Sequence, residues 1–550
     1  MATNHNSTFS KIRATVQTAF YGNNVVKVGT NQEAYTLAKK SPGTIITDMP
    51  VYQPEKLGLD PETKILLFND GLVTGRCAAA RKIIGEPKVD QEKYAGIIRE
   101  AVFHTRYKTM YYAQSYIGLD KDFMVRAHLL VPEGYENILY NWLLNFQYLN
   151  EAYMDMYKES KLIQNEGDIY IFSDPDWKDE SHPLGLNLFD PQNNCAALLG
   201  MRYFGEFKKG TLTLTWGIAN RNGYAACHGG QKRYHLGDGR KFVMGVFGLS
   251  GSGKSTITHE KHDGKYDITV LHDDAFVIST ENGSSVALEP SYFDKTQDYP
   301  ATSPDNKYLV TVQNCGAAID EEGKCVLVTE DIRNGNGRAI KSKLWAPNRV
   351  DKFEEPINSI IWLMKDPTLP PVIKVNDPEL ATVMGATLAT KRTTAERLAK
   401  GVDMEALVIE PYANPFRTYP LADDYRKFKE LFTERNVSCY IFNTGFFMDK
   451  KIPKEVTIGA LEQIVENRGS FKQWGDFSDM EILQIEGFIP DMKDKVYIDE
   501  LQQRIQDRIE FIESRDIERG GLDRLPQEAS KILRKLIGQL KKYQSKAEVA

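Results

Sequence analysis

Cysteine is scarce in this chain and nowhere paired in sequence: Cys77, Cys195, Cys227, Cys315, Cys325 and Cys439 are scattered over 550 residues, with no C-x-x-C among them. That spacing excludes a disulfide framework and a thiolate zinc site, and it reads as the thiol usage of a reducing compartment. Also missing is any run of about eighteen consecutive apolar residues, so no transmembrane helix is expected. The opening Met1-Ala-Thr-Asn-His-Asn-Ser7 has no basic segment leading into an apolar one. The expectation is therefore a cytoplasmic protein with no membrane partner. Strong charge of either sign is lacking too: 69 Lys+Arg against 75 Asp+Glu leave a net charge of −6, which gives no reason to expect nucleic acid. No internal repeat or low-complexity tract is visible.

What is present is ordinary globular material, 41% apolar and 26% charged, and long enough for two or three domains. Helix-period and strand-period segments are interleaved, which predicts an α/β (mixed α+β) fold. Strands are expected at Thr63–Phe68 and Asp168–Phe172, and helices at about 91–106 and 137–156. The alternation Thr211-Leu-Thr-Leu-Thr-Trp216 predicts a strand with one buried face. Further strands are expected at Lys307–Val312, Cys325–Thr329, Ile357–Leu363 and Val437–Phe442. Helices are expected at 378–400, 421–435 and 455–467, followed by docked helices from Ile498 to Lys546.

The most informative stretch is Gly248-Leu249-Ser250-Gly251-Ser252-Gly253-Lys254-Ser255-Thr256, directly behind the apolar run Lys241–Phe247. It satisfies G-x-x-x-x-G-K-[ST] in the strand context that this phosphate loop requires. Its glycines allow backbone N–H groups to turn onto a phosphate chain, Lys254 offers a point charge, and Ser255 offers a hydroxyl to Mg2+. A second strand, Tyr266–His272, ends in Asp273-Asp274, an acidic pair suited to a nucleotide-bound metal. Asp273 follows Lys254 by only nineteen positions, and the charged insert His259–Lys265 leaves room for little helix. A compact kinase core with a short helix after the loop therefore fits better than a doubly wound sheet.

Upstream lie Tyr203-Phe-Gly-Glu-Phe-Lys-Lys-Gly210 and Gly223-Tyr-Ala-Ala-Cys-His-Gly-Gly230, whose Lys208, Lys209 and His228 gain interest from the loop and acidic pair that follow. Imidazole and carboxylate near a nucleotide would suit a divalent transition metal. Arg76, in the glycine-containing segment Asn69–Cys77, could face a carboxylate. Arg333 and Arg338 flank the Gly/Asn segment Asn334–Gly337, where either could meet an anion.

Together these residues resemble the ATP-dependent phosphoenolpyruvate carboxykinases from about Gly71 to Thr457, as a divergent member. That family carries, in order, Tyr-Gly-Gly-Glu-Met-Lys-Lys-Gly, a histidine nineteen residues beyond the second lysine, Gly-Leu-Ser-Gly-Thr-Gly-Lys-Thr-Thr and an Asp-Asp pair. Here Lys209 and His228 are nineteen apart, and the loop differs only by Ser for Thr. The resemblance implies a two-domain fold, with an organic-acid-binding domain over 1–222. A phosphate-loop-containing nucleotide- and metal-binding domain with C-terminal helices would cover 223–550. It implies Lys209, His228 and Asp274 as ligands of Mn2+, and Lys254 and Ser255 on nucleotide phosphates and Mg2+. It also implies Arg76 and Tyr203 on the organic acid, with Arg333, in Thr329-Glu-Asp-Ile-Arg333, bridging acid and phosphoryl group and Arg338 as its fallback. Asp273, Asn443-Thr-Gly445, Lys451 and Thr457 would serve the nucleotide.

The implied reaction is ATP-dependent decarboxylation and phosphorylation of oxaloacetate to phosphoenolpyruvate, CO2 and ADP, or its reverse. The chain departs from the family after Arg76, where Cys77-Ala-Ala-Ala-Arg81 replaces Ser-Pro-Lys-Asp-Lys, and after Asp274, where Ala275-Phe-Val-Ile replaces Glu-His-Gly-Trp. Five extra residues also separate loop from acidic pair. Two other readings stay open: a phosphotransferase of the same fold acting on another small carboxylic acid, and a nucleotide-binding regulator without turnover.

Overall fold

A computed structural model of the chain describes residues 10–69, 75–148, 150–161, 166–249, 251–296, 300, 302–331, 336–391 and 407–549. Two units emerge: one draws its described residues from Met1–Ile218 and Val286–Asp351, the other from Ala219–Ser285, Lys352–Thr393 and Asp403–Ala550. Neither is a doubly wound parallel sheet.

The first unit is built on a mixed sheet whose strand order is Val25–Val28, Met110–Asp120, Phe123–Pro132, Ile169–Asp174, Cys195–Leu199, Leu186–Asp190 and Arg81–Ile83. Its apolar face closes over Ile98, Leu130, Phe172, Leu188 and Ala197, all buried. A smaller sheet orders Tyr292–Lys295, Arg338–Lys341, Leu309–Gln313, Lys64–Phe68 and Thr44–Pro50. The expected helix over 137–156 is instead two, Glu136–Asn145 and Glu151–Lys158, parted by the short strand Gln147–Tyr148.

The expected strand at Thr211–Trp216 is the middle of a helix, α1 (Phe204–Arg221). Burial explains both the misreading and the outcome. Leu212, Leu214 and Trp216 are fully buried, and so are the threonines between them, so no solvent face remains to set a helical period. The hydroxyls bond within the helix, Thr211 Oγ1 donating to Phe207 O (2.9 Å) and Thr215 Oγ1 to Thr211 O (3.0 Å). A threonine whose hydroxyl finds the carbonyl one turn back tolerates a helix interior.

In the second unit a twelve-residue strand, β1 (Tyr224–His235), organises the sheet. Beside it run β2 (Lys241–Phe247), then the short helix α2 (Lys254–His259), β3 (Asp267–His272) and β4 (Ala275–Ser279). β4 pairs antiparallel with the first part of β1, placing Ala275 opposite His228, and β3 pairs with its second part, Asp267 opposite His235. The chain thus bends at Asp273-Asp274 as it passes Gly229, whose N–H donates to Asp274 O (3.1 Å). On the other side of β1, β2 is antiparallel. Beyond it β5 (Ser359–Met364) runs parallel to β2 and pairs parallel with β6 (Ser438–Asn443).

Helix α3 (Lys454–Val465) adds Ala460, Leu461 and Ile464 to a core shared with Val246, Ile257, Val270, Leu363 and Phe442. The expected helix over 378–400 is Pro378–Ala386, followed by the strand Ala389–Lys391, and the rest of it falls outside the described residues. Two C-terminal helices, Lys495–Ser514 and Gln527–Val549, pack together as expected. All six cysteines are free thiols. Among the described residues no helix is long and apolar enough to cross a membrane.

Candidate active site

The loop between β2 and α2 is shaped by what its backbone must avoid. Gly248 passes so close to Ser252 that a Cβ would stand 2.3 Å from its hydroxyl, and Gly251 (φ 79°) and Gly253 (φ 93°) occupy the left-handed region. Thr444 Oγ1, from just past β6, donates to Ser252 O (2.8 Å) and fastens the loop from outside. Lys254 opens α2 and is buried, whereas Ser255 and Thr256 are exposed. Leu249 is buried. Ser250 lies outside the described residues.

The bend at Asp273-Asp274 brings three of the expected residues together. His228 Nε2 stands 3.1 Å from Asp274 Oδ1, and Lys254 Nζ stands 3.4 Å from the same oxygen. The other imidazole nitrogen is engaged, Nδ1–H donating to Ala413 O at 2.5 Å. Asp273 is buried against His259, Oδ2 to Nε2 3.6 Å. Burial pushes its carboxyl up, but the neighbouring His259 imidazole and the Lys254 charge outweigh it and hold the group well below the usual range. His272 Nδ1 accepts from the backbone N–H groups of Asp274 (3.1 Å) and Ala275 (3.3 Å), fixing the bend.

Imidazole and carboxylate held at this separation, with the second ring nitrogen committed to a carbonyl, form a donor pair that fits a divalent transition cation. Among the described residues no cluster of three or more His, Cys, Asp or Glu side chains is assembled. The expected set has a lysine as its third member.

In the second unit, too, Thr457 lies buried in α3, Lys451 is exposed in the short strand Lys450–Lys451, and Asn443 is fully used in holding its own loop. Its Nδ2 donates to Asp366 O (2.9 Å), Leu369 O (2.7 Å) and Phe446 O (2.7 Å).

The first unit holds the other expected residues. Arg76 is half-buried beside Cys77, whose backbone N–H donates to Glu206 Oε1 (2.5 Å), while Asn187 Nδ2 donates to Oε2 (2.8 Å). Glu206 sits on α1 with about 1% exposure, and burial pushes its pKa up against the pull of Arg81, the Cys77 N–H and Arg76. Arg81 also donates to Thr213 Oγ1 (2.9 Å) and lies over the Phe189 ring.

Lys209 is half-buried, its Nζ 5.8 Å from the centre of the Trp216 ring. Its neighbour Lys208 is fully buried and paired with Glu289 (2.9 Å), itself held by Asn145 Nδ2 (2.7 Å). Tyr203 is buried beside Phe293, and Arg338 is buried at the start of its strand. Arg333 lies outside the described residues.

Residues 62–484 match the model of the phosphoenolpyruvate carboxykinase family. The chain belongs to that family. Membership implies the use of ATP and a divalent metal. The phosphoenolpyruvate carboxykinase (ATP) of Aeropyrum pernix is 27% identical to this chain over 303 residues, 52% of this chain and 59% of the relative. That of a Bradyrhizobium species is 21% identical over 411 residues, 70% of this chain and 72% of the relative. That of Dictyostelium discoideum is 22% identical over 309 residues, 50% of this chain and 53% of the relative. The match thus spans little more than half the length of two of these three carboxykinases.

Several structural partners in this chain escaped sequence reasoning. Glu206 and Glu289 had one available signal, a carboxylate set among apolar or glycine neighbours, whereas His259, between Thr258 and Glu260, had none. The Ala413 carbonyl had none, because main-chain acceptors are the same at every residue.

Proposed function

We propose that this chain catalyses the ATP-dependent conversion of oxaloacetate to phosphoenolpyruvate, CO2 and ADP, or the reverse. The observation that carries the reading is the convergence of His228, Lys254 and Asp274 at one bend behind a phosphate loop, in a chain of this family. Loss of CO2 from oxaloacetate leaves negative charge on an enol oxygen, and that charge must be held before the oxygen takes the γ-phosphoryl group. When bound, Mn2+ and Mg2+ would supply positive charge at that oxygen and on the phosphates.

The residues have separate tasks in this reading. Lys209, His228 and Asp274 hold Mn2+, and Ser255 meets Mg2+. Residues Gly248 to Thr256, with Asp273, Lys451 and Thr457, hold the nucleotide, Lys254 following charge onto the transferring phosphoryl group. Arg76 and Arg333 orient the acid and the transferring group through fixed guanidinium forks, beside Tyr203. Glu206 keeps the Cys77 N–H, and so the chain next to Arg76, in place. Residues 1–222 would thus carry Arg76 and Tyr203 for the acid together with Lys209 of the metal set, and 223–550 the nucleotide residues, His228, Asp274 and Arg333.

The test is ATP formation by purified protein from phosphoenolpyruvate, ADP and CO2 with divalent metal. CO2-dependent ATP formation supports the proposal. ATP turnover only with another small acid, or ATP binding without turnover, overturns it in favour of a different phosphotransferase or a regulator.

A further inference from the structure

The imidazole of His228 is held by a segment whose backbone is unusual. Tyr412 (φ 52°, ψ 23°) and Ala413 (φ 53°) are consecutive residues with a Cβ in the left-handed region. That conformation is disfavoured for either one, and a pair of them persists only where the surroundings over-determine it.

Here the determinants are visible. The Tyr412 ring is buried and stacked on Phe428, centroids 4.5 Å apart and planes 16° from parallel, with Trp362 at 5.7 Å. Its hydroxyl donates to Thr382 O (3.2 Å), and Gly385 lies so close that a Cβ there would come within 2.8 Å of the ring. So anchored, the segment aims Ala413 O at His228 Nδ1, 2.5 Å away. Three residues on, Phe416 packs edge-to-face with the imidazole, centroids 5.6 Å apart at 86°, and the Phe416 N–H donates to Asn414 Oδ1 (3.1 Å).

A carbonyl oxygen only accepts, so Nδ1 must carry the proton. That leaves Nε2, 3.1 Å from Asp274 Oδ1, as the one ring nitrogen that can give a lone pair to a cation. We infer that the segment from Pro411 to Phe416, anchored by Tyr412, is the positioning element of His228, fixing its tautomer and ring plane so that Nε2 is the metal-ligating nitrogen. The ligating half rests on the proposed metal site; the tautomer half does not.

The test uses the full chain with 15N-labelled histidine, the His228 signals being assigned with His228→Gln. In metal-free protein, His228 should show a protonated Nδ1. Tyr412→Ala should mix the tautomers and weaken MnCl2 binding by about 10- to 100-fold, with ATP affinity in the absence of manganese held within about twofold. Tyr412→Phe, which keeps the stack, should restore both.

If Tyr412→Ala does not fold, Phe416→Leu keeps the bulk but loses the edge contact, and should move both readouts in the same direction by a smaller amount. An unprotonated Nδ1 in the parent, or a folded Tyr412→Ala with unchanged nitrogen shifts and manganese affinity, overturns the inference. Failure of the parent to turn over oxaloacetate, with these responses intact, overturns the proposed reaction instead.

Discussion

Lys254 is the residue whose surroundings say most about its use. It is buried to about 8% exposure, with Nζ 3.4 Å from Asp274 Oδ1, so its charge is held by the acidic bend before any phosphate arrives. Lys254→Ala should lower kcat by more than about 100-fold while ATP affinity falls less than about 10-fold, because the charge is used most in the transition state. Steady-state kinetics beside equilibrium ATP binding would check this, and equal kcat in the two proteins would take the loop out of the mechanism.

Glu206 offers a test through pH. Burial raises its folded pKa above the ordinary 4.5, so between those two values the folded chain keeps a proton that the unfolded chain has released. Stability contributed by the protonated form is therefore full below 4.5 and lost as pH rises through the folded pKa. Glu206→Gln, which cannot ionise, should gain on the parent as pH rises above 4.5, as read from urea midpoints at stepped pH; a constant gap would mean the carboxyl is not perturbed. Lys254 was legible in the sequence because its motif is contiguous. Glu206 was not, because its role exists only once α1 packs beside Cys77.

Elements were legible wherever one face meets solvent or a turn residue marks the end. The strand Lys241–Phe247 lies where its apolar run predicts, and α2 is as short as the charged insert after it requires. Reading failed at α1, where the stretch Thr211–Trp216 is covered on every side and its Leu/Thr alternation mimicked a strand, and between Asn145 and Glu151, where a two-residue strand interrupts a helical pattern. Pairing across elements was equally invisible, and the clearest case is Gly230. A Cβ there would stand 1.9 Å from Thr258 Oγ1, so β1 and α2 touch through the absence of a side chain. Gly230→Ala should cost at least about 1–3 kcal/mol by overpacking and displace α2 with its Lys254. Adding Thr258→Ala should recover part of the stability. Thermal melts and ATP affinity of the single and double variants decide it: a Gly230→Ala protein as stable as the parent would mean that the helix does not rest on the strand.

For the whole molecule the question is whether a metal is needed for the chemistry, for the fold, or for both. The core of the second unit closes over apolar side chains, and His228 and Asp274 already have protein partners at hydrogen-bonding distance. Folding should therefore survive without metal, and only turnover should depend on it. Protein stripped with a chelator should keep its circular dichroism, lose CO2-dependent ATP formation, and regain it with MnCl2. Since the ion binds only the folded site, MnCl2 at a hundred times its Kd should stabilise the protein by about 2.7 kcal/mol. His228→Gln should abolish that gain, because removing one ligand weakens the whole set. A regulator that merely binds ATP would be stabilised by the nucleotide in the same way but would gain nothing from manganese alone. A parent melt that MnCl2 leaves unmoved, or chelated protein that still forms ATP, would remove the metal from the reaction and leave His228 and Asp274 as an ordinary hydrogen-bonded pair.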